Sequence, residues 1–463
     1  MPFRSDFVWG AASSAYQIEG ASNRDGKGPS VWDVFANTPG KIIHNQTGNT
    51  ACCHYDNYKE DIDLMKSLGI RAYRFSIAWT RIFPYGDHRL NQAGLDYYDN
   101  LVRYCLSSHI TPYITLFHWD LPEALEKKGG WTNRDTAKAF ADYAAFVTNH
   151  FSDRVKHFIT INEPQIISFL GYHTGTYAPG LKLGVSDTMK TTHYLALAHG
   201  LAVKAMRTAA VSPIEIGFAS TGDLCYPSST DSADIDAARQ MSFSTRKDNW
   251  AFNHHIFCDM TCLGKYPVIE GTYLEHAIKE EYIDGQKVPR IYEDFPFVEP
   301  GDIKLIHQPI DFIGFNIYNG HEVNSLGFMP KIPGGPRTAL KWPITPAVMN
   351  WSLRFLHDRY HLPFYITENG LSCNDFIYQD GKVHDAARID FLSRYIKELE
   401  KASDSGVDLR GYFHWSFTDN FEWSNGYEEH FGLIYIDYAT QKRIPKDSAY
   451  WYRDLIASNG ATL

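Results

Sequence analysis

Thr160-Ile161-Asn162-Glu163-Pro164 and, far downstream, Ile366-Thr367-Glu368-Asn369-Gly370 each place a glutamate directly after a short apolar, β-branched run. Such a run reads as a buried strand, and a parallel strand delivers the residue at its end to one rim of a sheet or barrel. Comparable runs extend in both directions along the chain: Phe7 to Tyr16, Ile70 to Ile77, Ile110 to Phe117, Phe158 to Glu163, Ile214 to Ser220, Phe312 to Tyr318, Phe364 to Glu368 and Tyr412 to Ser416. Between most of them apolar residues recur at helical spacing, as in Tyr58, Ile62 and Met65 ahead of a C-capping Gly69, or Leu95, Tyr98, Val102 and Cys105. Phe140, Tyr143, Val147 and Phe151 make another such face, as do Ile389, Leu392, Ile396 and Leu399. Strand and helix alternating over the whole chain predict an α/β fold, a single (β/α)8 TIM barrel spanning residues 1–463. The chain is 463 residues long, against roughly 250 for a minimal barrel, so the surplus is assigned to enlarged βα-loops. The sequence between Ser220 and Phe312 and the Pro- and Gly-rich Gly327 to Pro346 are the places for them. The charged run Lys397 to Asp404 reads as the solvated face of a helix.

In such a barrel Glu163 ends the fourth strand and Glu368 the seventh, so both reach the same mouth. Two facing carboxyl groups are what glycoside hydrolysis requires: one protonates the leaving oxygen, and the other attacks the sugar or activates water. A separation of about 5 to 5.5 Å means direct attack and retention, and about 6.5 to 9.5 Å leaves room for a water and inversion. Taken singly, Glu163 reads equally well as a structural ion-pair partner, and Glu368 as a turn residue before Asn369-Gly370.

Composition narrows the alternatives. A net charge of −10 and a pI near 6.0 disfavour nucleic acid and anionic lipid as partners, since both demand concentrated positive potential. No apolar stretch is long enough to span a bilayer and Met1 to Asp6 does not read as a secretory signal, so the expectation is a soluble, cytoplasmic protein. Eleven Trp and 29 Tyr suit the flat faces of pyranoses as well as core packing. The seven cysteines form no CxxC pair and read as free thiols. Cys258, Cys262 and the adjoining His254-His255 read more simply as buried residues than as a soft-metal site. A metal-dependent barrel enzyme would want clustered His and carboxylates at strand ends, and only His118 and His414 fit that loosely. No metal and no cofactor is expected. A sugar ligand is expected, which the family resemblance of the motifs narrows to small-molecule β-glycosides or short β-linked oligosaccharides, and the sequence leaves the oligomeric state open.

Other predicted strand ends carry donors, acceptors and flat rings: Gln17 with Glu19, His118-Trp119-Asp120, Asn162, Asn316-Ile317-Tyr318, and Trp415 with Glu422-Trp423 beyond it. A sugar site needs neutral hydrogen-bond partners and a stacking plane. Arg74, inside the second strand, is costly to bury without an anion; a nucleophilic carboxylate or a structural Asp would each serve.

These motifs resemble the family one glycoside hydrolases, the β-glucosidase and β-galactosidase group. Phe7-Val8-Trp9-Gly10-Ala11-Ala12 with Ser14-Ala15-Tyr16-Gln17-Ile18-Glu19-Gly20 is similar to their amino-terminal signature, and the likeness runs almost to the end. The resemblance implies that Glu163 is the acid/base and Glu368 the nucleophile, with Arg74, Tyr318 and Asn316 supporting the nucleophile. It further implies a glycone subsite of Gln17, His118, Asn162, Trp415, Glu422 and Trp423, a hydrophobic wall at Phe431, and an aglycone platform at Trp342. The implied activity is a retaining, exo-acting β-glucosidase that removes terminal β-D-glucosyl, β-D-galactosyl or β-D-fucosyl residues. The alternatives are a 6-phospho-β-glycosidase and a non-catalytic glycan-binding barrel. Where many members carry Asn-Tyr-Tyr this chain has Asn316-Ile317-Tyr318, which keeps the second tyrosine. Relatives that cleave 6-phosphoglycosides carry Ser and a downstream Lys-x-Tyr where this chain has Glu422, Glu429 and His430. A carboxylate at Glu422 is therefore expected to repel phosphate. Relatives acting on thioglucosides have Gln in place of the acid, and Glu163 argues against that activity.

Overall fold

The computed structural model describes residues 3–246, 249–268, 282–283, 286–287, 289 and 291–463. Eight parallel strands close into a barrel: β1 (Val8–Ala12), β2 (Ala72–Ser76), β3 (Thr111–Phe117), β4 (His157–Asn162), β5 (Glu215–Ser220), β6 (Ile313–Asn316), β7 (Phe364–Asn369) and β8 (Leu409–Trp415). Each pairs with its sequence neighbours, and β1 closes the ring against β8 from Val8 opposite Gly411 to Ala12 opposite Trp415. The four helices expected from periodicity form as α1 (His54–Ser67), α2 (Gln92–Ser107), α3 (Arg134–Phe151) and, after β7, α4 (Ala386–Asp404). In α3 the buried stripe includes Phe140, Tyr143, Val147 and Phe151, the spacing that lays one helical face on a sheet. In α4 the buried face begins at Arg388, whereas Ile389 is only half-buried.

The barrel interior is packed. Tyr113, Phe312, Tyr365 and Phe413 meet inside it, with Tyr113 and Phe413 ring centroids 4.9 Å apart and Phe312 and Tyr365 5.1 Å apart. Glycines on the strands make room for these rings: a Cβ at Gly10 would come within 2.5 Å of the Phe413 ring, and one at Gly217 within 2.4 Å of Phe312. With one end plugged by aromatics, the open end is the rim formed by the strand C-termini.

The first strand is shorter than expected, stopping at Ala12, and Ala15–Ile18 forms a helical turn. Serine chemistry ends it: the Ala15 amide donates to Ser76 Oγ at 2.7 Å and Ser14 Oγ donates to Gln17 Oε1 at 2.6 Å, which competes with ladder pairing. The enlarged loops lie where surplus sequence was expected. After β6, His321–Asn324 pairs with Gly327–Phe328 and, in parallel, with Cys225–Pro227 from the loop after β5. Among the described residues no disulfide links the cysteines. His254 and His255 are buried and hydrogen-bonded to Ser220 (2.9 Å) and Thr245 (3.0 Å). Among the described residues no helix is long and apolar enough to cross a membrane.

Candidate active site

Both glutamates reach the rim through local irregularities. The β4–β5 register shifts between Ile159 and Asn162, and the β6–β7 register shifts between Ile366 and Glu368. Bulges of this kind re-aim side chains at a sheet end. Glu163 also adopts left-handed backbone (φ 49°) directly before Pro164, a position that ordinarily favours extended conformations. Trp119 (φ 80°) and Trp423 (φ 48°) are left-handed as well, so three bulky rim residues hold strained backbone, a pattern that concentrates at ligand sites.

These residues face a cavity of ≈ 470 Å³ lined by Glu163, Glu368, Glu422, His118, Asn316, Tyr318, Trp342, Trp415, Trp423 and Phe431, among others. Glu368 is held from both sides: Arg74 Nη1 donates to Oε1 at 2.6 Å and Tyr318 OH donates to Oε2 at 2.8 Å. Asn316 Nδ2 donates to Glu163 Oε1 at 2.8 Å and to Asn162 Oδ1 at 3.1 Å, and its nearness helps to hold the Glu368 carboxyl down. Thr367 Oγ1 donates to Asn316 Oδ1 at 2.6 Å and fixes which way that amide points.

Burial, followed by the nearby charge of Glu368, pushes Glu163 well above the usual carboxylate range. Burial pushes Glu368 up too, but Arg74, Tyr318 and Asn316 pull against it. The asymmetry assigns the proton to Glu163, which receives a neutral amide N–H, and the charge to Glu368, which receives a guanidinium.

Glu422 departs from expectation. Burial, then Glu368 and Glu429, push its carboxyl up to about 8, against the ionised carboxylate expected to repel phosphate. Among the described residues no Lys or Arg lines the cavity.

Gln17 and Asn162 stand one layer behind the wall rather than on it. The Gln17 amide donates to Asn420 Oδ1 and the Phe421 carbonyl, each at 3.0 Å, and reaches Glu422 Oε2 at 3.4 Å. Asn162 Oδ1 accepts from Arg74 and, at 3.1 Å, from Asn316, so its Nδ2 turns to His118 Nε2 at 3.1 Å. Nε2 must then accept, which puts the imidazole hydrogen on Nδ1, an atom buried without a partner. Burial, then Arg74, hold His118 well below its ordinary pKa, so the ring is neutral. Arg74 is fully buried, and the anion beside it is Glu368. Glu19 belongs elsewhere: it accepts from Arg81 at 2.6 Å and Tyr98 at 2.7 Å in the structural layer below the rim. His414 is likewise committed, its Nε2 lying 3.2 Å from the Phe431 carbonyl.

Aromatic planes complete the walls. His118 stacks with Trp415 (5.7 Å) and Trp423 (5.9 Å), and Trp119 lies 4.4 Å from Trp423. Trp342 packs edge-on to Tyr318 at 5.3 Å, so the loop tryptophan does reach the cavity. Sequence reasoning did not assign Phe169, Tyr177, Thr221, Asp223, His321 or Asn425, which also line it. They lie in loops beyond the strand ends, where no periodicity marks them; the π-helical turn Ile167–His173 after β4 carries Phe169.

The family model for glycosyl hydrolase family 1 matches residues 1–461. The chain is 42% identical to the 1,4-beta-D-glucan glucohydrolase of Thermotoga neapolitana, covering 99% of each. It is 37% identical to an aryl-phospho-beta-D-glucosidase of Bacillus subtilis, covering 100% of this chain and 98% of the relative. The solved structure of a beta-glucosidase from Thermotoga maritima in complex with glucoimidazole superposes with a TM-score of 0.86 at 40% identity, covering 99% of both chains.

Proposed function

The chain belongs to glycosyl hydrolase family 1, and on that premise we propose that it is a retaining, exo-acting β-glucosidase. The observation that carries this reading is the pair of unlike carboxyls at one rim, Glu163 on an amide and Glu368 on a guanidinium and a phenol. Glu368 attacks the anomeric carbon while Glu163 gives its proton to the glycosidic oxygen, and the C–O bond to the leaving group breaks. The product is a glycosyl ester of Glu368 and a free alcohol. Once Glu368 is neutralised by that ester, Glu163 loses the charge that helped to raise its pKa and becomes a base. It deprotonates a water whose oxygen takes the anomeric carbon, releasing the β-sugar and restoring both groups.

The glycone half of the cavity is read as follows. Neutral His118, with an unpartnered Nδ1–H, donates to a sugar hydroxyl. Protonated Glu422, positioned by Gln17, exchanges hydrogen bonds with neutral hydroxyls, and Trp415, Trp423 and Phe431 cover the ring. Trp342 serves the leaving group. A panel of aryl β-D-glycosides tests the reading: turnover of the glucoside, its loss in Glu368→Ala, and no turnover of the glucoside 6-phosphate are expected. Preference for the 6-phosphate would replace it with phosphoglycosidase activity, and no turnover of any glycoside would leave a binding barrel.

A further inference from the structure

Glu163 stands on a turn that its own backbone does not favour. The residue is left-handed (φ 49°, ψ 63°) directly before Pro164, a conformation that persists only where the surroundings impose it. On the strand side the main chain imposes it: the Asn162 carbonyl accepts from the Trp119 indole at 2.9 Å, and the Glu163 amide donates to the Ala219 carbonyl at 2.8 Å. On the far side lies the short helical turn Pro164–Ile166. Pro164 has no amide hydrogen to give, and of the three residues only Gln165 has a polar side chain.

Gln165 spans the gap to the next strand. Its Nε2 donates to Ser220 Oγ at 3.0 Å and to the Asn253 carbonyl at 3.4 Å, while the Thr221 amide reaches its Oε1 at 3.5 Å. Ser220 ends β5, and its hydroxyl lies 2.9 Å from Nδ1 of His254 in the loop beyond. Gln165 is 1% exposed, and Ser220, Asn253 and His254 are fully buried, so these bonds form out of reach of water, where they are stronger. Gln165 does not line the cavity and so does not meet the sugar. Its amide ties the turn that carries Glu163 to the end of β5.

We propose that Gln165 is a positioning residue that braces the backbone of Glu163 against β5 and so keeps the acid's carboxyl within reach of the glycosidic oxygen. The inference rests on the reading of Glu163 as proton donor and goes beyond it by naming what aims that donor. A general acid works from about 2.6–3.2 Å, and a misplacement of about 1 Å costs about a hundredfold. Asn316 fixes the carboxyl at its tip, 2.8 Å from Oε1, and Gln165 fixes the main chain from which that carboxyl springs. Without the brace the left-handed turn relaxes, and the loss falls on leaving groups that need a proton. A glutamine that served only to fill the core would, on removal, slow every substrate alike.

The test compares kcat/KM for phenyl β-D-glucoside, whose leaving group needs a proton, with that for 2,4-dinitrophenyl β-D-glucoside, whose leaving group does not. The proteins are the wild type, Gln165→Met, which keeps the length of the side chain, Ser220→Ala and Glu163→Gln. The phenyl-to-dinitrophenyl ratio falls about tenfold in Gln165→Met, in keeping with a displacement of a fraction of an ångström, and about threefold in Ser220→Ala, where the Asn253 carbonyl still holds the amide. Taking the ratio within each variant cancels any general disturbance of the fold, and Ser220→Ala decides alone if Gln165→Met does not fold. A ratio within about twofold of wild type in either folded variant overturns the inference and leaves the glycosidase reading standing. Equal losses on the two substrates in Glu163→Gln would instead overturn the acid reading, and the inference with it.

Discussion

Tyr318→Phe isolates one contribution to the ionisation of Glu368 while leaving the shape of the cavity intact. In the wild type the phenol donates to Oε2 at 2.8 Å and pulls the carboxyl down against the upward push of burial. A hydrogen bond to a charged group is worth about 1.5–3 kcal/mol, and one pKa unit is about 1.36 kcal/mol, so its removal raises the Glu368 step by about 1 to 2 units. The enzyme needs Glu368 ionised, so activity is lost as pH falls through that step. The acid limb of kcat/KM against pH therefore moves up by about 1 to 2 units, with the lower of the pair's two titration steps as its source. Measured on an aryl β-glucoside between pH 4 and 9, an acid limb that stays in place while activity drops would refute the reasoning. It would mean that Tyr318 orients the sugar instead of stabilising the anion.

Glu368→Gln removes the charge that helps to raise Glu163, so the Glu163 carboxyl titrates lower in the variant; it stays above the ordinary 4.5 because burial is the larger cause. Carboxyl ¹³C NMR of both proteins reads this directly. Glu163→Gln lowers turnover of disaccharides by about 10²–10⁴-fold, but has far less effect on a dinitrophenyl glucoside, whose leaving group needs no proton; equal losses would remove Glu163 from the acid role. Lys446 is fully buried between Asp375 (2.5 Å) and Asp419 (2.7 Å), so Lys446→Met breaks two buried ion pairs and leaves Asp375 with Arg388 and Asp419 with His430 and the Gly432 amide. It lowers unfolding stability in urea by about 3–5 kcal/mol.

Much of the barrel was legible because each strand is a short apolar run ended by polar or aromatic residues, and the ring then brings those ends together. Glu163 and Glu368 could be paired on that logic alone, and so could His118, Asn316, Tyr318 and Trp415. Depth was not legible. Gln17 and Asn162 occupy strand-end positions like the others, yet hydrogen bonds to Ser14, Asn420, Arg74 and Asn316 draw them behind the wall, and no sequence pattern encodes that. The upward shift of the Glu422 carboxyl escaped for a related reason: burial is its largest cause, and burial depends on the folded loop as a whole. Asp223 and His321 lie in two loops whose meeting depends on a short parallel pairing outside the barrel.

The anomer released first tests the central claim most directly. With an aryl β-glucoside and enough enzyme to outrun mutarotation, ¹H NMR shows β-glucose appearing first if Glu368 attacks the sugar and Glu163 serves as acid and then base. Initial accumulation of α-glucose would contradict the account, because water would then have attacked directly across a wider pair of carboxyls.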